Sequence, residues 1–146
     1  MKVNEVMANI VQIVGWEDSL HKVANIMKDH DIGCVLVGSK LKVDGILTDR
    51  DIVCRGLATG VSPDSLVAAD VMTPEPVSCR VDDTTNQAAF IMEKNQVRRL
   101  PVLDNENQLA GIVSLGDISR HVRHQLAAEL IDEVSKPSHR DITAAA

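Results

Sequence analysis

The stretch Gly45-Ile-Leu-Thr-Asp-Arg-Asp51 returns in altered form as Gly111-Ile-Val-Ser-Leu-Gly-Asp117, and this recurrence decides the fold. Each copy has a glycine, two apolar residues, a hydroxyl residue and, three positions later, an aspartate. The segment Ala24-Asn-Ile-Met27 likewise returns as Ala89-Phe-Ile-Met92. Because internal repeats determine architecture, we read the chain as two copies of one small unit.

Both halves predict the same order of elements: strand, helix, strand, strand, helix. Polar residues at Asp18/Ser19 and at Asp83/Thr84 are suited to cap the first helix of each half. The predicted strands are 11–14, 34–37 and 43–47 in the first half, and 77–79, 100–103 and 109–113 in the second. The second helices begin after Thr48 and Ser114, and the last one is expected to run from about 116 to 135 and to stop before Pro137.

This order predicts an α+β fold of two pseudo-symmetric β-α-β-β-α repeats. We assign residues 1–62 to the first repeat, 63–131 to the second, and 132–146 to the end of the last helix and a tail. Each repeat has about 60 residues, which is marginal for burying a core alone, so we expect the two copies to pack together.

Composition narrows the class of function. The 146 residues are 45% hydrophobic and 25% charged, as in a globular protein. A net charge of −6, with one Trp, one Phe and no Tyr, opposes nucleic-acid binding, which uses basic surfaces and stacked rings. Because the chain has no apolar run long enough for a membrane span and no signal-peptide pattern, we expect a cytoplasmic protein that does not enter a membrane.

Three cysteines, Cys34, Cys54 and Cys79, lie far apart and lack the spacing of a metal or redox motif. We expect three free thiols, each buried as a small hydrophobic side chain.

The recurring hydroxyl and carboxylate can do either of two things. Thr48 or Ser114 ends a buried strand, and Asp51 or Asp117 follows in the first helical turn. A carboxylate so placed can accept hydrogen bonds from a ligand diol, and the hydroxyl can meet a ring nitrogen or a phosphate oxygen. The same spacing is also that of a helix-capping box. Repetition of the motif in both halves favours a binding site.

These motifs, together with the segments Arg99-Leu-Pro-Val102 and Asp70-Val-Met-Thr73, resemble a tandem pair of CBS domains, also called a Bateman module, over roughly residues 1–131. The resemblance is strongest to small stand-alone bacterial CBS-pair proteins. It implies two clefts that take adenosyl ligands such as AMP, ADP, ATP, NAD or S-adenosylmethionine, and no obligatory cofactor.

The resemblance also implies which residues line the clefts. In each cleft the aspartate holds the ribose hydroxyls, and the other repeat supplies aliphatic walls. The cleft at the second-repeat motif would use Ser114, Asp117, Arg99, Val11, Ile32, Gly33 and Arg120. The cleft at the first-repeat motif would use Thr48, Asp51, Arg50, Thr73, Pro76, Val97 and Arg98.

Phosphate binding separates the two clefts. In the family, Arg99 stands where a phosphate is held, whereas the first repeat has Cys34 at the matching position. An arginine pairs well with phosphate through its planar guanidinium. The alternative is a surface arginine paired with Glu93 or Asp104. We therefore expect tighter nucleotide binding at the second-repeat motif.

The function implied is regulatory adenine-nucleotide binding, as in an energy or metabolite sensor, by a homodimer that acts on a protein partner. The four-residue spacing of Ile118, Val122, Leu126, Leu130 and Val134 suggests a dimer contact at Leu126 and Leu130. An enzyme is disfavoured because the chain has no nucleophile–base arrangement, phosphate loop or metal cluster. An adaptor with empty clefts remains the alternative.

One further pair of residues is open to two interpretations. His121 and His124 have a spacing at which they can share a metal ion, although such a pair is more often a solvated helix face or a dimer contact. We expect no metal site.

Overall fold

A computed structural model describes residues 1–121 and 124–137. The strands in this part of the chain are β1 Ile13–Val14, β2 Cys34–Gly38, β3 Val43–Thr48, β4 Thr73–Pro74, β5 Cys79–Arg80, β6 Arg99–Leu103 and β7 Leu109–Ser114. The α-helices are α1 Leu20–His30, α2 Asp49–Asp51, α3 Ala68–Val71, α4 Thr85–Asn95, α5 Leu115–Ser119 and α6 His124–Ser135. Short 3-10 and π turns lie at Val3–Glu5 (3-10), Ile52–Gly56 (π) and Leu57–Thr59 (3-10).

The predicted order of elements is confirmed in both halves. One sheet has the order β1-β2-β3-β4 and the other the order β5-β6-β7. Within the first sheet, β1 runs parallel to β2, while β2–β3 and β3–β4 are antiparallel. As predicted, Ser19 and Thr84 cap α1 and α4, and their side chains accept hydrogen bonds from the backbone N–H of Lys22 and Gln87. The α+β repeat fold therefore stands.

The described residues form two compact units that interleave along the chain. The first unit holds residues 8–76 and 103–111, and the second holds 1–7, 77–102, 112–121 and 124–137. The division between repeats at residues 62 and 63 remains a prediction about the sequence repeats, because the compact units are not continuous segments.

Each unit is completed by the segment that leads into the other repeat. In the second unit, Val3 N–H donates to the carbonyl of Asp83 over 2.8 Å. In the first, Ala68 N–H donates to the carbonyl of Asp18 over the same 2.8 Å. Val3 and Ala68 are fully buried. The Val-Met pair that each of these segments contains also packs against the same cluster: Val6 and Met7 in the second unit, Val71 and Met72 in the first.

Each unit buries its own apolar cluster. Residues of α1, β2 and β3 dominate the first cluster, and those of α4, β6 and α6 dominate the second. The first cluster is Val14, Leu20, Val23, Met27, Val35, Val37, Leu47, Ile52, Ala68 and Val71. The second is Val3, Cys79, Ala88, Ala89, Met92, Leu100, Val102, Val113, Ile118, Leu130 and Val134.

The last helix is not continuous over 116–135, so that prediction is wrong. α5 ends at Ser119. The His121 ring donates from Nδ1 to the carbonyl of Asp117 over 2.8 Å, which takes the acceptor that the His121 backbone N–H would use in a regular α-helix. That N–H instead donates to the carbonyl of Ile118 over 3.0 Å. The tighter turn ends the helix.

The predicted dimer contact at Leu126 and Leu130 also needs correction. Leu130 is only 5% exposed, because it packs into the core of the second unit. Val122 and the side chain of Leu126 lie outside the described residues.

The cysteines differ from the prediction in burial but not in pairing. All three are free thiols, yet only Cys79 is buried, while Cys34 is half-buried and Cys54 exposed. Cys54 lies in the turn Ile52–Gly56, where Ile52 and Gly56 are buried and Cys54 faces away from them. Burial raises the pKa of the Cys79 thiol to about 12, with a smaller contribution from the charge of Asp83.

Among the helices in the described part of the chain, none has the length and apolar character that crossing a membrane requires.

Candidate functional site

Both repeats place the hydroxyl and the carboxylate of the motif in direct contact. Thr48 N–H donates to Asp51 Oδ2 over 2.9 Å, and Asp51 N–H donates to Thr48 Oγ1 over 3.2 Å. The equivalent distances at Ser114 and Asp117 are 2.8 Å and 3.1 Å. In addition, Ser114 Oγ donates to Asp117 Oδ2 over 2.6 Å. Helix capping, the alternative to ligand binding, is therefore present in both repeats and uses one carboxylate oxygen.

The second carboxylate oxygen distinguishes the two repeats. Asp51 Oδ1 accepts a hydrogen bond from Arg55 Nη2 over 2.6 Å. Asp117 Oδ1 has only the guanidinium of Arg120 at 3.9 Å, beyond hydrogen-bond distance. The side chains of Asp51 and Asp117 are 17% and 24% exposed, so the second oxygen of Asp117 is open to a further partner.

Arg55 is the residue that sequence reasoning missed. Besides Asp51, its Nη2 group donates to Thr73 Oγ1 over 3.0 Å, which joins the turn after α2 to β4. The predicted site residue Thr73 is thereby brought beside Asp51. The signal was present in the sequence, because Asp51 and Arg55 have the four-residue spacing at which opposite charges meet on a helix.

A backbone hydrogen bond fixes the position of the predicted arginines. Leu115 N–H donates to the carbonyl of Arg98 over 2.8 Å, so β6 begins beside the start of α5. Arg98 is exposed, and the next residue, Arg99, is half-buried at the first position of β6. Among the described residues neither arginine forms an ion pair, so the alternative pairing of Arg99 with Glu93 or Asp104 is not found.

The first repeat builds the same corner with Gly33 in the place of Arg98. Asp49 N–H donates to the carbonyl of Gly33 over 3.0 Å, matching the bond at Arg98. A Cβ atom at Gly33 would lie 2.9 Å from Asp49 Oδ2. A side chain at this position would therefore require the Asp49 carboxylate to move.

The remaining predicted residues divide between the units. Thr48, Asp51, Arg50, Thr73 and Pro76 belong to the first unit, as do Val11, Ile32 and Gly33. Ser114, Asp117, Arg99, Arg120, Val97 and Arg98 belong to the second. Val11 lines a cavity of about 230 Å³ in the first unit together with Lys40, Leu109 and Ala110. That each cleft is lined by aliphatic residues of the other repeat remains a prediction.

Metal binding finds no support in the described chain. Across residues 1–121 and 124–137, no three His, Cys, Asp or Glu side chains are grouped so as to hold a metal ion. The possible pair of His121 with His124 cannot be placed, because the His124 side chain lies outside the described residues.

Comparison with known proteins identifies the family. The sequence profile of the CBS domain matches residues 3–55 and 67–124. Hypoxic response protein 1 of Mycobacterium tuberculosis is 33% identical over 134 residues, which are 91% of this chain and 93% of that protein. A crystal structure of hypoxic response protein I, which carries two coordinated zinc ions, matches with a TM-score of 0.74 and 34% identity over 84% of this chain and 100% of that chain.

Two solved structures of the same fold contain adenosyl compounds. The CBS-domain pair of protein MJ0100, in complex with 5′-methylthioadenosine and S-adenosyl-L-methionine, matches with a TM-score of 0.73 and 25% identity over 82% of this chain and 94% of that chain. CBSX2 in complex with AMP has a TM-score of 0.69 and 22% identity over 88% and 98% of the two chains, a likeness of fold. From the two repeats and these matches, the chain belongs to the CBS-domain family and is similar to its small tandem-domain members.

Proposed function

We propose that this chain is a regulatory module that binds an adenine nucleotide and has no catalytic activity of its own. The observation that carries the proposal is that the two carboxylate oxygens of Asp117 have different contacts. Its Oδ2 oxygen is held in the capping box, whereas Oδ1 has no hydrogen-bond partner within the described residues. A carboxylate oxygen without a hydrogen-bond partner, on a side chain that is 24% exposed, is suited to accept hydrogen bonds from a ribose diol.

Arg99 supplies the second element of the proposed nucleotide site. Because Arg98 is tied to Leu115, Arg99 lies at the same corner of the second unit as the start of α5. The guanidinium of Arg99 has no ion-pair partner among the described residues, and it is permanently charged. It therefore suits a phosphate group attached to the ribose that Asp117 holds.

Relatives support the class of ligand. Protein MJ0100 binds 5′-methylthioadenosine and S-adenosyl-L-methionine, and CBSX2 binds AMP. We carry the adenosyl group over to this chain and propose AMP, ADP, ATP, NAD or S-adenosylmethionine as the ligand.

A weaker second site is proposed at Thr48 and Asp51. Arg50, Thr73 and Pro76, which belong to the same unit, complete it in this proposal. Its weakness follows from the Asp51 carboxylate, whose two oxygens both have hydrogen-bond partners within the chain.

We further propose that the protein works as a cytoplasmic homodimer and acts on a regulated protein partner. The three free thiols support a reducing compartment. Light scattering at tens of micromolar protein tests the assembly: a mass near twice 15.8 kDa is expected, and a monomeric mass contradicts it.

The nucleotide proposal is tested by mass spectrometry of small molecules released from the purified chain, followed by thermal melting with a panel of adenosyl compounds. A ligand that binds the folded state raises the melting temperature by mass action. Release of an adenosyl compound, and a shift with that compound, are expected. An adaptor with empty clefts would give neither, and turnover of ATP by the pure protein would contradict the absence of catalysis.

A further inference from the structure

Arg55 is an internal occupant of the first site. Its guanidinium reaches Asp51 Oδ1 at 2.6 Å and Thr73 Oγ1 at 3.0 Å, and its side chain is 45% exposed. The carboxylate oxygen that a ribose diol would use is therefore already bound to a cation of the same chain. The inference that follows rests on the proposed function.

The second repeat lacks this arrangement although its motif is otherwise the same. The position that matches Arg55 is His121, four residues after Asp117. The His121 ring bonds the backbone carbonyl of Asp117 rather than its carboxylate. Within the described chain, the first repeat has a guanidinium hydrogen-bonded to the second carboxylate oxygen of the motif, whereas the second repeat has only Arg120 at 3.9 Å from Asp117 Oδ1.

A diol that enters the first site must displace Arg55 from Asp51. The guanidinium cannot lose its charge at any ordinary pH, so it leaves as a cation without its partner. Breaking a half-exposed ion pair of this kind disfavours the ligand by roughly fivefold, equivalent to about 1 kcal/mol. Adenosine has no anionic group to take the place of Asp51, so its affinity is lowered by the whole of this factor.

A phosphate on the same ribose changes the balance. The side chain of Arg55 is long and half-exposed, so its guanidinium can move from the carboxylate to an anionic group that the nucleotide brings with it. A charge-assisted hydrogen bond to phosphate then replaces the one lost at Asp51. The phosphate contact favours AMP by about tenfold or more.

We propose that Arg55 is the specificity-determining residue of the first site, where it excludes uncharged adenosyl compounds and admits those that carry a phosphate. In the second site, Asp117 Oδ1 has only the longer ion pair with Arg120 at 3.9 Å and accepts no hydrogen bond from a cation, so we expect no such selection there. The two sites of one chain would then respond to different members of the adenosyl class.

The test uses the full-length chain freed of ligand, in an Asp117→Asn background that weakens the second site. Calorimetry measures the affinities for AMP and for adenosine in the chain that retains Arg55 and in the Arg55→Met variant. Methionine keeps most of the side-chain length and removes the charge. Lys28→Met is the matched control, because Lys28 is an exposed cation of the same unit with a loose contact to Asp29 at 3.8 Å. Melting curves of each variant verify that it is folded.

With Arg55 present, AMP is expected to bind at least about tenfold more tightly than adenosine. In Arg55→Met the affinity for AMP should fall, the affinity for adenosine should rise about fivefold, and the two should become nearly equal. Lys28→Met should keep the original ratio. If the double variant does not fold, the same comparison is made on Arg55→Met alone by following the weaker of the two binding events.

Two results would overturn the inference, and they are distinguishable. An AMP-to-adenosine ratio that Arg55→Met leaves unchanged contradicts the role of Arg55 while the proposed nucleotide binding stands. A wild-type chain that binds no adenosyl compound contradicts the proposed function, and the inference falls with it.

Discussion

Replacing Asp117 by asparagine separates the two tasks that the structure gives this side chain. In the wild-type chain, Ser114 N–H donates to Asp117 Oδ2 over 2.8 Å. The amide oxygen of asparagine can accept this hydrogen bond instead, so the capping box is largely kept. The amide nitrogen occupies the place of Oδ1 and donates instead of accepting. We therefore expect the free energy of unfolding to fall by about 1 kcal/mol or less, the usual value of a helix cap.

Ligand binding should change far more than stability. Hydrogen bonds to a charged acceptor contribute about 1.5–3 kcal/mol, so loss of the carboxylate should weaken AMP binding at the tighter site by about 10- to 150-fold. Calorimetric titration of AMP measures the loss, and denaturant unfolding measures the stability.

Asp51→Asn is the matched control for this experiment. It alters the equivalent carboxylate, which Arg55 already occupies, and is expected to leave the tighter binding event within about twofold. The reasoning is refuted if Asp51→Asn abolishes the tight event and Asp117→Asn does not.

Three further predictions concern Arg99 and the thiols. Arg99→Ala should weaken AMP by about tenfold and leave adenosine nearly unchanged by calorimetry, since adenosine has no phosphate; an equal loss for both would remove the phosphate role. A thiol reagent should count three thiols in the denatured, non-reduced chain and react in the native chain first with Cys54 and last with Cys79; a denatured count of one would reveal a disulfide. Because the buried Cys79 thiol, with a pKa raised to about 12, keeps its proton above pH 9 while the unfolded thiol loses it, wild-type stability should decrease as pH rises from 9 to 12. Between pH 7 and pH 10, the free energy of unfolding measured with denaturant should fall by about 1.4 kcal/mol more for wild type than for Cys79→Ala. Parallel pH profiles of the two proteins would contradict the raised pKa of Cys79.

The fold was largely predictable because its signals are local and occur twice. Ser19 and Thr84 cap their helices as the sequence indicated, and β2 and β6 lie where short apolar runs were found. The interleaving of the units was not predictable, since it depends on hydrogen bonds such as that from Val3 to Asp83, between residues 80 positions apart. No period or composition encodes such a contact.

The errors at the C-terminal end have a similar cause. An apolar spacing of four residues predicts which face of a helix is buried, but not what covers it, and Leu130 is covered by its own unit. The break after Ser119 depends on the His121 ring reaching the carbonyl of Asp117. The presence of a histidine one helical turn after an aspartate does not by itself predict this hydrogen bond.

At the candidate site, the hydroxyl–carboxylate pairs were predictable from the sequence, but the hydrogen-bond partners of each carboxylate were not. Thr48, Asp51, Ser114 and Asp117 form the expected pairs. The pattern could not show that the two carboxylates differ in their hydrogen-bond partners. Arg55 and His121 stand at matching positions, but Arg55 donates to the Asp51 carboxylate, whereas the His121 ring donates to the backbone carbonyl of Asp117.

Calorimetric titration of the ligand-free wild-type chain with AMP tests the central claim most directly. The account predicts saturable binding with one tighter event per chain, which Asp117→Asn weakens and Asp51→Asn leaves in place. A chain that gives neither heat nor a thermal shift with AMP or any other adenosyl compound would contradict the account.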